Sequence, residues 1–146
     1  MLNEKPHHYV LLVDASEEII KMVKTQIGFI AEDIKVLGET DLENARYIFD
    51  SCHKTLKAVF VGSGIANFSV GYADKPITLG FIREIRASGW NKPLVGFSNN
   101  PDFVNQMKMA GCNHTFCQKG YLAEEILDAV KNHDIIDVVV EEKMSA

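Results

Sequence analysis

The sequence predicts an α/β domain built on a parallel sheet, and two observations carry that expectation. Short continuous apolar runs, suited to strands buried on both faces, alternate five times with segments whose apolar residues recur at the helical period. Most helical segments are also preceded by capping residues, so the boundaries are marked as well as the elements. A strand–helix unit repeated five times closes into one sheet covered by helices on both faces. The 146 residues suit a single domain, which at this size buries roughly 70% of the surface of its unfolded chain.

Tyr9 to Val13 is the first apolar run and ends at Asp14. Ser16 is placed to cap the next helix, with Glu17 and Glu18 favourable to its dipole. Ile19, Ile20, Val23, Ile27 and Ile30 give that helix its apolar face. Ile34 to Leu37 reads as a shorter second strand. Thr40 and Glu43 then form a capping-box pattern ahead of Leu42, Ala45, Ile48, Phe49 and Cys52. Ala58 to Val61 is the third strand, stopped by Gly62-Ser63-Gly64.

A long segment rich in Gly, Ser and Asn runs from Gly62 to Pro76, and loops of that length are often functional. Phe81, Ile82 and Ile85 resume a helical pattern that Gly89 closes. Pro93 to Phe97 is the fourth strand and ends at Ser98. Asn100-Pro101 opens a helix in the expected cap-then-proline order. Phe103, Met107 and Ala110 follow on that helix, which ends at Gly111. Thr115 to Cys117 is the fifth strand, and Leu122, Ile126, Leu127 and Val130 line a last helix. Residues 1–133 thus form one domain. The segment 134–146 reads as an extension of the last helix, an edge strand, or a linker.

Right-handed crossovers favour the flavodoxin-like strand order 2-1-3-4-5 in a three-layer (βα)5 sandwich. Ligands and chemistry then gather beyond the carboxyl ends of the strands, which directs attention to Asp14, Gly62, Ser98 and Lys119.

Composition removes several functional classes. The net charge of −5, with acids and bases interspersed, argues against direct nucleic-acid binding, which needs a basic stripe. No apolar run approaches the ~20 residues of a membrane helix. Three cysteines and no signal-peptide pattern point to a reducing compartment, the cytoplasm. Cys112, His114 and Cys117, with Cys52-His53 elsewhere, lack the paired knuckles of a zinc site. Packing explains Cys112, and no metal or other cofactor is expected.

The strand-end residues resemble the CheY-like receiver domains of response regulators over roughly residues 9–131. Val10 to Asp14, Pro93 to Ser98, and Ala110 to Lys119 carry the likeness, together with Phe81 to Arg86 followed by Gly89 and Pro93. In that family, acids after the first strand hold Mg²⁺ and an aspartate after the third accepts a phosphoryl group. A Ser or Thr after the fourth strand and a Lys after the fifth contact that group. The resemblance implies that Asp14, Ser98 and Lys119 occupy three of these positions and Phe116 the switch-aromatic position. Two departures stand out. Ala15 replaces the second acid, and Gly62 stands where the acceptor aspartate is expected, with Ser63 next and no acid between Asp50 and Asp74.

Phosphoryl transfer to a carboxylate needs in-line geometry and a divalent cation. A lone Asp14 is a poor Mg²⁺ site, since that ion wants octahedral oxygen ligands. Lys119 is then expected either to pair with Asp14 or to be a solvated loop lysine. Ser98 is either part of that pocket or a hydroxyl satisfying the backbone at a strand end. Phe116 is expected to be a packed aromatic.

The leading expectation is therefore a degenerate, non-enzymatic receiver that signals by protein contact without aspartyl phosphorylation. By the same resemblance, partners or a second copy would dock on the fourth helix, fifth strand and fifth helix, through residues including Met107, Met109 and Phe116. Two alternatives stay open: a nucleotide or flavin site at Gly62 to Gly64, or a phosphorelay receiver with an unusual acceptor such as Ser63.

Overall fold

A computed structural model of the chain describes residues 7–64 and 76–131. Five strands, β1 (His8–Val13), β2 (Ile34–Glu39), β3 (Leu56–Gly62), β4 (Leu94–Phe97) and β5 (His114–Phe116), form one sheet. They alternate with α1 (Glu17–Ile30), α2 (Leu42–Cys52), α3 (Leu79–Ala87) and α4 (Pro101–Ala110). A 3₁₀ turn, Lys119–Tyr121, leads into α5, helical over 122–131. Every pairing is parallel and the order is β2-β1-β3-β4-β5, the flavodoxin-like order.

Alternation along each strand divides the core into two layers. Leu11, Val13, Val59 and Val61 pack with Ala45 and Phe49 of α2, Phe81, Ile82 and Ile85 of α3, and Met107 of α4. Val10, Leu12, Ala58 and Phe60 face Ile20, Val23 and Ile27 of α1, and Leu122, Ile126 and Val130 of α5. Strands buried on both sides explain why the sequence shows continuous apolar runs instead of alternation.

Three helices are capped by side chains. The Ser16 hydroxyl accepts from the Ile19 amide and Asn100 Oδ1 from the Asp102 amide. At α2 the cap differs from the expected Thr40: Asp41 accepts from the Asn44 amide at 3.0 Å. Glu39 Oε1 meanwhile accepts from the amides of Thr40 and Asp41. The strand thus runs to Glu39, two residues further than expected, and the cap moves one residue along. Gly89 and Gly111 adopt positive φ after α3 and α4.

Met107 corrects a further expectation. It is fully buried, closed over Gly96, where an added Cβ would lie 3.0 Å from Met107 Cε. It belongs to the core and to no docking face. Met109, two residues on, is 89% exposed. The long segment from Gly62 to Pro76, which carries Phe68 and Tyr72 as a candidate docking surface, lies mostly outside the described residues, as does the 134–146 tail.

Arg86 joins α3 to the two turns below the sheet. Its Nε donates to the Gly111 carbonyl at 2.7 Å, Nη1 to the carbonyls of Trp90 and Lys92, and Nη2 to Asn113 Oδ1. Gly111 is required here twice over, by its φ of 142° and because a Cβ would stand 2.5 Å from Arg86 Cγ. Neighbouring Cys112 is buried, which pushes its thiol from 9.0 up to about 12, with Arg86 opposing the shift weakly. A raised folded-state value means the native protein holds the proton after the unfolded chain has lost it. The thiol's contribution is then complete well below pH 9 and is lost between pH 9 and about 12, by about 1 kcal/mol from pH 9 to pH 10. Urea unfolding at pH 9 and pH 10 should show that slope, and Cys112→Ala should flatten it.

Candidate functional site

Sheet register brings the carboxyl ends of the inner strands together. Val13 lies beside Val61, and Gly62 beside Phe97, which in turn lies beside Phe116. Asp14, Gly62 and Ser98 therefore occupy one rim, and the turn after β5 carries Lys119 to it.

Asp14 is 1% exposed. Its Oδ1 accepts from Lys119 Nζ at 3.0 Å, and its Oδ2 from the Ser16 amide at 3.0 Å. Of the two readings of Lys119, the structure adopts the pair. The lysine side chain is only one-third exposed, and Nζ also lies 5.9 Å from the centroid of the Phe97 ring. Cation, carboxylate and aromatic face thus form one contact, strengthened by partial exclusion of water.

Gly62 completes this contact by having no side chain. A Cβ there would stand 2.8 Å from Asp14 Oδ1 and 3.2–3.3 Å from the Phe97 ring. The space above residue 62 is filled by the Asp14 carboxylate and the Phe97 edge. The Gly62 carbonyl accepts from Thr78 Oγ1 at 2.8 Å, within a fully buried hydroxyl contact. Thr78→Val keeps the shape and deletes the donor, so it should cost about 1–2 kcal/mol in denaturant unfolding. Ser63 follows at the surface edge, its carbonyl accepting from the Ile77 amide.

Ser98 is buried and works on the backbone. Its Oγ accepts from the Asn100 amide at 3.2 Å, and its own amide donates to the Phe116 carbonyl. Phe116 is half-buried and stacked on Phe97, with centroids 5.5 Å apart and planes at 25°. It meets Phe60 edge-on at 6.5 Å, and the His114 ring lies on it at 6.4 Å. His114 Nε2 in turn contacts Glu125 of α5 at 3.0 Å.

The described residues do not fit the Mg²⁺ site that the resemblance implies. Both Asp14 oxygens already have donors, and Ala15 and Gly62 offer no second carboxylate. Among the described residues no group of three His, Cys, Asp or Glu is placed to hold a metal. Cys112 is enclosed in the core with Met107 and Ile82, and Cys117 is exposed.

Phe97 and Thr78 were not singled out by sequence reasoning. Phe97 reads as one more core residue of a strand, and only the register shows that its ring edge walls the rim. Thr78 follows the long loop, so no periodicity ties it to Gly62.

No family model matches the chain, and no curated protein matches it significantly in sequence. Solved structures do match in shape. A response-regulator receiver domain from Clostridium thermocellum superposes with a TM-score of 0.68 at 14% identity, covering 88% of this chain and 98% of that one. A response regulator from Thermotoga maritima gives 0.62 at 20% identity, covering 86% and 98%. NtrX from Brucella abortus gives 0.71 at 16% identity, covering 92% of this chain but 29% of the longer protein. At these identities the likeness establishes the fold: this chain has the flavodoxin-like α/β architecture of response-regulator receiver domains.

Proposed function

We propose that this domain is a receiver-like signalling module that acts by protein contact, without catalysis and without aspartyl phosphorylation. The observation that carries this reading is the occupied rim. The carboxylate of Asp14 is neutralised by Lys119, and the position of the expected acceptor is a glycine whose side-chain space is already taken. Phosphoryl transfer would need a free carboxylate and a cation to offset its charge, and the Asp14 oxygens are engaged elsewhere. Ser98 and Phe116, which in the resemblance respond to the phosphoryl group, are held by the Asn100 amide and by the Phe97 stack.

Protein contact is supported by the side chains left outside the core. Met109 on α4 and Tyr121 in the turn before α5 are 89% and 51% exposed, and large apolar groups left in solvent suit docking. Incubation with acetyl phosphate and Mg²⁺ should leave the intact mass unchanged. A gain of one phosphoryl group, retained on Gly62→Ala but lost on Ser63→Ala, would instead establish an unusual acceptor.

A further inference from the structure

Among the described residues both outer strands of the sheet pair on one side only, and β2, with six residues against three in β5, is the longer. A groove of about 470 Å³ lies alongside β2, lined by Ile27 and Gly28 of α1 and by Ile34 and Val36 of the strand. An open edge is a template for another strand unless something blunts it. We infer that two copies of this chain join β2 to β2, antiparallel, about a twofold axis at Leu37.

Backbone direction sets which groups are available. The carbonyls of Asp33 and Glu39 accept from the amides of His8 and Asp14, so the odd-numbered residues of β2 turn their peptide groups toward β1. Val36 and Gly38 turn theirs outward. An antiparallel copy centred on Leu37 sets Val36 opposite the partner's Gly38, and Gly38 opposite the partner's Val36. Each of these pairs exchanges both of its N–H···O bonds. Lys35 and Leu37 then fall at non-hydrogen-bonded positions, where opposed side chains come closest.

Side chains select that register. Lys35, Leu37 and Glu39 share the face of β2 turned to α2, and Ile34 and Val36 share the face turned to α1. Centring on Leu37 sets Lys35 beside the partner's Glu39, Leu37 beside the partner's Leu37, and Val36 beside a glycine. Opposite charges and apolar groups at directly opposed positions both stabilise a strand pair. Centring on Val36 would instead set Lys35 against the partner's Leu37 and leave Glu39 unmatched. A lysine on an edge strand ordinarily discourages pairing, but Glu39 on the same face gives it a mate in a second copy. Glu39 is held in place for that contact, since its Oε1 accepts from the Thr40 and Asp41 amides. The contact is isologous, so it closes at two copies. It lies at the opposite edge of the sheet from β5 and does not depend on the signalling reading above.

Sedimentation of the full chain at rising concentration should show a monomer–dimer equilibrium. Val36→Pro removes an outward N–H and no bond to β1, so it should keep the circular dichroism of the native fold and lose the dimer. Lys35→Glu and Glu39→Lys should each weaken self-association at least about tenfold, because attractive pairs become repulsive ones. Mixed together, these two variants should recover a heterodimer, since every Glu then meets a Lys. Val36→Pro decides the matter if loss of the acceptor for the Thr40 and Asp41 amides unfolds Glu39→Lys. A native chain that stays monomeric, a dimer indifferent to Val36→Pro, or folded charge variants that do not associate on mixing would overturn the inference. So would slow hydrogen exchange of the Val36 and Gly38 amides in the monomer, since the chain would then cover its own edge.

Discussion

Replacing Lys119 with methionine is expected to lower the unfolding free energy by about 2–3 kcal/mol in urea titration. Removing one partner of a buried ion pair typically costs about 3–5 kcal/mol, because the remaining charge stays desolvated. Asp14 is that remaining charge, at 1% exposure, whereas the Lys119 side chain is 32% exposed. Water reaching the vacated side moderates the loss, which sets the lower figure. Methionine retains the aliphatic stem over Phe97, so packing changes little. Asp14→Asn keeps an acceptor for the Ser16 amide and removes the charge. The double variant Asp14→Asn with Lys119→Met should then be less destabilised than the sum of the two, with a coupling of about 1–2 kcal/mol. Strict additivity would mean the two groups do not interact in solution.

The second large effect is expected at Gly62. Gly62→Asp places the carboxylate of the family's acceptor at its expected position, yet it should destabilise by about 3 kcal/mol. Overpacking in a well-filled site costs about 1–3 kcal/mol, and a Cβ here would meet Asp14 Oδ1 at 2.8 Å. Asp14 cannot turn away freely, because Lys119 and the Ser16 amide hold both of its oxygens. The added negative charge beside Asp14 raises the cost further, with one lysine left to serve two carboxylates. Gly62→Ala carries the steric part alone and should fall between the native chain and Gly62→Asp. Equal stability of all three would show that the rim is open. Gain of Mg²⁺-dependent phosphorylation by Gly62→Asp would show that only the acceptor is missing.

Much of this was legible in the residues. The inner strands announce themselves because burial on both faces demands unbroken apolar runs, as in Val10 to Val13 and Ala58 to Val61. Strand order follows from crossover handedness, so the rim assembled from Asp14, Gly62, Ser98 and Lys119 could be anticipated from positions alone. What the sequence could not convey is the direction of individual side chains. Thr40 and Asp41 are both competent caps one residue apart, and the choice fell to Asp41 because Glu39 takes up the intervening amides. Met107 and Met109 both sit on α4, and only the turn of the helix separates a core residue from an exposed one. Ser98 stands on the rim and its hydroxyl also accepts from the Asn100 amide, a contact that its position along the chain does not announce. Phe97 joins the site through cross-strand register with Gly62, which no spacing along the chain encodes.

Adding beryllofluoride and Mg²⁺ to the isotope-labelled native protein probes the occupied rim most directly. Amide resonances of Asp14, Gly62, Ser63, Ser98 and Lys119 should stay where they are, since the Asp14 carboxylate is engaged by Lys119 and the Ser16 amide. A saturable, Mg²⁺-dependent shift of those resonances, spreading to Phe116, would contradict a pocket closed by Asp14 and Lys119.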